Sequence, residues 1–103
     1  MQDKVKKFNE SIREKTSSMS NYARLLDIQS EMGELIKEYL KATEYGSKKF
    51  KADEYFKDEF GDVMYALLSL ANEVGIDCNE CLDISINKLK SRMAKYKDLG
   101  SQR

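Results

Sequence analysis

Glu31-Met-Gly-Glu34 and Glu59-Phe-Gly-Asp62 each set two carboxylates three residues apart. On a helix, that spacing puts both acids on one face, about 4.5 Å apart along the axis. Each pair also encloses a glycine, which costs a helix interior roughly 1 kcal/mol. A solvated surface helix has no reason to accept that cost twice. Packed with these faces together, two such helices gather four carboxylates into one small volume. Like charges so close repel one another unless cations lie among them. Hard oxygen donors in that number suit Mg²⁺. The bland reading, ordinary helix-surface acids, fits either pair alone. The repetition of the pair, its glycine and its apolar surroundings favours a metal site.

Two long helices are needed to hold these acids. From a cap at Ser20 or Asn21 to about Tyr45, the positions Tyr22, Leu25, Leu26, Met32, Leu35, Ile36, Tyr39 and Leu40 recur at helical spacing. Gly46 is the expected stop. A basic connection, Ser47 to about Lys51, leads into a helix from roughly Ala52 to Val74. Phe56, Phe60, Val63, Met64, Leu67, Leu68, Ala71 and Val74 give that helix a broad apolar face. From Val63 to Ala71 it is apolar nearly all round, which predicts a central position. The connection is short enough to make the two helices antiparallel neighbours. Counted from the turn, the acid pairs are offset by roughly 7 Å at 1.5 Å per residue.

Gly75 ends the central helix, and Asp77-Cys-Asn-Glu80 reads as a capping box for the next. There Leu82, Ile86, Leu89, Met93 and Tyr96 form a seam. Before the motifs, residues 3–15 carry a weaker stripe at Val5, Phe8 and Ile12. Thr16 to Asn21 reads as a linker, and Ser101 to Arg103 as a frayed tail. No strand pattern or repeat is present. The fold class is therefore all-α: a bundle of about four helices in one domain over 1–103, with an N-terminal helix and linker in 1–19 and the motif-bearing helices in 20–98.

Composition narrows the chemistry. The chain has 103 residues, with 18 basic and 18 acidic side chains. That balance gives no electrostatic case for a nucleic-acid polymer or a membrane surface. No apolar run approaches the roughly 20 residues that span a bilayer. The N-terminal Met1-Gln-Asp-Lys-Val-Lys-Lys-Phe8 has no signal-peptide stretch, so the cytoplasm is the expected compartment. There is no histidine. Ser-His-Asp and Cys-His hydrolysis, His-ligated zinc and Glu-x-x-His di-iron centres are thereby excluded. A chain this short buries proportionally little surface, so assembly with further copies is a natural way to complete its core.

Glu31-Met-Gly-Glu34-Leu, then Asp58-Glu59-Phe-Gly-Asp62-Val-Met-Tyr65, then Leu70-Ala-Asn-Glu-Val-Gly-Ile-Asp77 resembles the all-α nucleotide pyrophosphohydrolases. These are the MazG-like proteins and their dCTP pyrophosphatase relatives. The resemblance covers roughly residues 20–97. The family signature is Glu-Glu-x-x-Glu, a spacer, then Glu-x-x-Asp. The resemblance implies Mg²⁺, with Mn²⁺ as a substitute, and hydrolysis of a nucleoside triphosphate to monophosphate and pyrophosphate, a reaction suited to nucleotide-pool housecleaning. The apolar circumference from Val63 to Ala71 and the seam of the last helix predict a homodimer or homotetramer.

Carried over residue by residue, Glu31, Glu34, Glu59 and Asp62 look like the metal ligands and catalytic acids. The first glutamate of the signature falls at Ser30, an acid that the dCTP pyrophosphatase branch also lacks. The water-activating base is left open, with Glu38, one turn beyond Glu34, as a stand-in. Lys88, Arg92 and Lys95 resemble the family's basic tail and are candidates for holding the β and γ phosphates. Tyr65 and Tyr22, with Phe50, are candidates for contacting the base. Phosphoribosyl-ATP pyrophosphohydrolase shares the metal logic and is the nearest alternative. A non-catalytic helical interaction module on the same scaffold is the other. Cys78 and Cys81 form Cys-x-x-Cys at a helix start. They have neither the thioredoxin-like context nor the second ligand pair that a redox or zinc role calls for, which favours a structural reading.

Overall fold

Ser20 has extended backbone, and its hydroxyl accepts the Ala23 N–H at 3.1 Å, which opens the first motif helix as the sequence predicts. The computed structural model describes residues 1–12 and 20–96. It contains four helices: α1 (Gln2–Ile12), α2 (Asn21–Ala42), α3 (Glu54–Val74) and α4 (Cys78–Tyr96). No strand occurs among the described residues. The linker expected from Thr16 lies outside them up to residue 19, and so does the tail from Ser101.

α2 ends at Ala42, earlier than its apolar stripe suggests, with Thr43 rather than Gly46 at the turn-off. The Thr43 hydroxyl folds back on the Tyr39 and Leu40 carbonyls at 3.1 and 3.3 Å. The Tyr45 N–H then reaches the Leu40 carbonyl at 2.7 Å. Closing that turn puts Glu44, Tyr45 and Gly46 all in the left-handed region, at φ 48°, 59° and 94°. Only the glycine adopts it without a steric cost. α3 starts where Asp53 accepts the Phe56 N–H at 2.8 Å. It ends at Gly75 (φ 76°), with the Ile76 N–H on the Ala71 carbonyl at 3.0 Å.

α2 and α3 pack side by side, and α1 lies against another side of α3. Ala66, Leu68, Ser69 and Ala71, all from α3, are buried, in keeping with the predicted central position. Small side chains at 66, 69 and 71 let the neighbouring helices come close. At one end of the α2–α3 pair, Arg24 donates to Glu73 at 3.0 Å with only 8% of its surface exposed. Its Nε is buried without a partner. At the other end, Tyr39 stacks on Phe50 at 4.5 Å between centroids, and Phe50 meets Phe56 edge-on at 5.0 Å. Phe50 thereby ties the connecting loop to both helices.

Gln2 of α1 supplements the Asp77 cap at the start of α4. Its Oε1 accepts the Cys78 N–H at 2.6 Å, while its Nε2 donates to Asn72 Oδ1 and the Ile76 carbonyl at 3.0 and 2.9 Å. Asp77 Oδ1 itself accepts the Asn79 N–H at 2.9 Å, the side-chain cap that its position just before α4 predicts. α1 is thus pinned to the α3–α4 corner. α4 itself packs sparsely, and its seam residues Leu82, Ile86 and Met93 remain 58%, 40% and 46% exposed. Among the described residues, nothing fully covers the Leu82, Ile86 and Met93 seam that the sequence predicts.

Candidate metal centre

Glu31 on α2 and Glu59 and Asp62 on α3 each offer a carboxylate oxygen within 4.8 Å of the others. Glu31 and Glu59 are half-buried, and Asp62 is exposed. The antiparallel pairing anchored by Arg24–Glu73 and by the aromatic stack brings these acids opposite one another. Glu34 shares the α2 face but lies outside this group and is exposed. Part of the stagger counted from the turn thus survives: one α2 acid meets both α3 acids, and the second sits farther along.

The electrostatics match the geometry. Partial burial pushes the Glu31 carboxyl above its ordinary value of 4.5, and the charges of Asp62, Asp27 and Glu34 push it further. Partial burial likewise raises Glu59, followed by the charges of Asp62, Asp58, Glu31 and Glu34. Asp27 is half-buried on the turn of α2 preceding Glu31. The signature does not mark it, but its spacing of four residues from Glu31 puts it on the same helix face. Three oxygens from separate carboxylates, open on one side, fit a hard divalent cation that keeps part of its water shell.

These shifts have a definite sign. A carboxyl whose folded pKa is raised binds its proton more readily folded than unfolded. For Glu31 and Glu59, the cation-free protein therefore gains stability as pH falls through their folded values and loses it as pH rises through them. Protons also compete with a cation at higher pH than they do for an ordinary carboxylate. Titration calorimetry with Mg²⁺ is expected to show affinity falling as pH is lowered into the titration range of these carboxyls, and thermal melts without metal should show the opposite trend. Affinity unchanged across that range would contradict the cluster.

The other sequence-predicted residues are dispersed. Glu38 is half-buried and paired with Lys41 at 3.6 Å. Lys88, Arg92 and Lys95 lie on the sparsely packed α4, with Arg92 half-buried and the two lysines exposed. Tyr22 is 73% exposed at the start of α2. Tyr65 is half-buried against α1: its hydroxyl donates to Asn9 Oδ1, Asn9 Nδ2 donates to Ser69 Oγ at 3.0 Å, and Phe8 packs edge-on against its ring. Asn9 and Gln2 are polar residues on a weakly patterned helix. Nothing in their spacing marks them as ties to α3.

The two motif glycines do not serve close packing among the described residues. A Cβ at Gly33 or Gly61 would meet nothing within 4 Å. Gly61→Ala is therefore expected to stabilise the isolated chain by about 1 kcal/mol through helix propensity alone. A melting temperature roughly 4–8 °C higher would register it. A lower one would mean that a second copy occupies the space.

The sequence model of the MazG nucleotide pyrophosphohydrolase domain matches residues 16–96. The chain belongs to that family, which supports nucleotide pyrophosphohydrolase activity in the general sense; the family generally uses a divalent metal, and Glu31, Glu59 and Asp62 are placed where they could hold one. No curated protein and no solved structure matches it significantly.

Proposed function

We propose that the chain hydrolyses a nucleoside triphosphate at the α–β phosphoanhydride, releasing monophosphate and pyrophosphate, with Mg²⁺ at the acidic cluster. The observation that carries this reading is the convergence of Glu31, Glu59 and Asp62 in a chain of this family. These three carboxylates would hold the ion. When bound, it supplies charge neutralisation of the phosphates and a more acidic water. Glu34, farther along the same face, extends the acidic surface to a second ion. Asp27 restores, one turn away, negative charge that the signature carries at position 30 and Ser30 lacks.

The protein's own work in this reading is positioning. Glu31 and Glu59 hold the reacting region between two helices. Lys88, Arg92 and Lys95 neutralise the outer phosphates once α4 of this or another copy approaches the acids. Tyr65, fixed by Asn9 and Phe8, offers a ring of set orientation near the base. Separation of the products of dNTP and NTP hydrolysis is the test. Monophosphate and pyrophosphate are expected in equal amounts. Diphosphate and orthophosphate as first products would overturn the proposal. A panel of bases and sugars, with phosphoribosyl-ATP included, assigns the substrate.

A further inference from the structure

Cys78 and Cys81 lie in the first turn of α4, outside the acidic centre, and both are free thiols. Cys81 is exposed and Cys78 half-buried. Cys78 borders an open cavity of about 490 Å³ shared with Gln2, Asn72 and Ile76. Helical positions three apart have Cβ atoms about 5–6 Å apart, whereas a disulfide needs about 3.5–4.5 Å. In a helix interior, hydrogen bonds at both residues resist closing that gap. Here they are unequal. The Cys81 N–H is held by the Asp77 carbonyl at 3.0 Å, within the helix. The Cys78 N–H is held only by the side chain of Gln2, a residue of another helix. Cys78 is the first residue of α4, so its N–H has no bond inside the helix to lose; turning Cys78 toward Cys81 costs the Gln2 bond and strains only the first rung, which its own carbonyl makes.

We propose that Cys78 and Cys81 form a redox site that reacts with low-molecular-weight disulfides and closes to an intrahelical disulfide. The exposed Cys81 reacts first. Its thiolate attacks one sulfur of the small disulfide, forming a mixed disulfide at Cys81 and expelling one small thiolate. Cys78 then loses its proton to solvent and attacks the Cys81 sulfur. The protein disulfide forms, and the second small thiolate leaves. Two electrons pass from the cysteine pair to the small disulfide, which departs as two thiols. The cost falls on the Gln2–Cys78 bond, so oxidation loosens the tie between α1 and the α3–α4 corner.

The full-length chain treated with oxidised glutathione under native conditions tests this. Mass spectrometry is expected to show the loss of two hydrogens and no retained adduct, reversed by reduced glutathione. Cys78→Ser is expected to stall with one glutathione on Cys81. Cys81→Ser is expected to react at least about tenfold more slowly, because only the half-buried thiol remains. Hydrogen exchange at the Cys78 amide should speed up on oxidation and stay slow in untreated protein. A stable adduct on the wild-type chain, a disulfide joining two chains, or no reaction while the helical circular dichroism persists would each overturn the proposal.

Discussion

Asp62→Asn is expected to reduce turnover on the order of 100- to 1,000-fold, the scale of removing one group that stabilises developing charge, and to leave the helical circular dichroism unchanged. The substitution keeps side-chain volume but replaces an anionic oxygen with an amide, a poor ligand for a hard cation. Asp62 is exposed and contributes to raising both Glu31 and Glu59. Its neutralisation therefore relieves repulsion in the cation-free protein, and the variant should melt at the same temperature as the parent or above it. Glu31→Gln should behave alike, as the only α2 member of the cluster. Glu34→Gln separates two roles. It is expected to leave the affinity for a first Mg²⁺ nearly intact and still to lose turnover, through the second ion. Loss of activity with loss of fold would point to structural acids. Parental activity at saturating Mg²⁺ in Asp62→Asn would rule out the cluster as the metal site.

How much of this is legible in the sequence varies with the kind of signal. Periodic apolar positions and capping residues act locally, so Ser20, Gly75 and the reach of α3 can be read directly. The α2 terminus is less legible, because the Thr43 hydroxyl competes for the Tyr39 and Leu40 carbonyls and turns the chain before Gly46. The acid pairs are visible from spacing, but their register is a tertiary property. It depends on Arg24 finding Glu73, 49 residues away. Asn9 and Gln2 are harder still, since an amide on a surface-patterned helix gives no sign of a partner 56 to 76 residues distant. The motif glycines are readable as unusual, and the inference of tight packing inside one chain does not follow. Their faces are open.

Ile86→Glu on α4 is expected to convert an assembled particle to monomer and to abolish activity at low micromolar concentration. The physical case starts from the dimensions. A chain of this length that buried its own core would have a radius of gyration of about 13 Å, whereas this one has 17.0 Å. α4 packs sparsely on the rest and has no buried residue among those described. Leu82, Ile86 and Met93 are exposed along it, and Leu67 and Phe60 are about half exposed on α3. Exposed apolar side chains in this number, on two helices, are a usual mark of a surface that another chain covers. A second copy supplies the same faces, and two-fold pairing would let each cover the other. It would also bring a neighbour's Lys88, Arg92 and Lys95 within range of the acids. A glutamate at position 86 would then be buried without a partner, at a cost of about 3–5 kcal/mol, weakening association by more than about 100-fold. Within one chain, position 86 touches solvent, so the monomer's helicity should survive. Light scattering with a parallel activity assay decides it. A wild-type particle of monomer mass that turns over substrate would show that one chain suffices. An Ile86→Glu protein of unchanged mass would show that the α4 seam is not the interface.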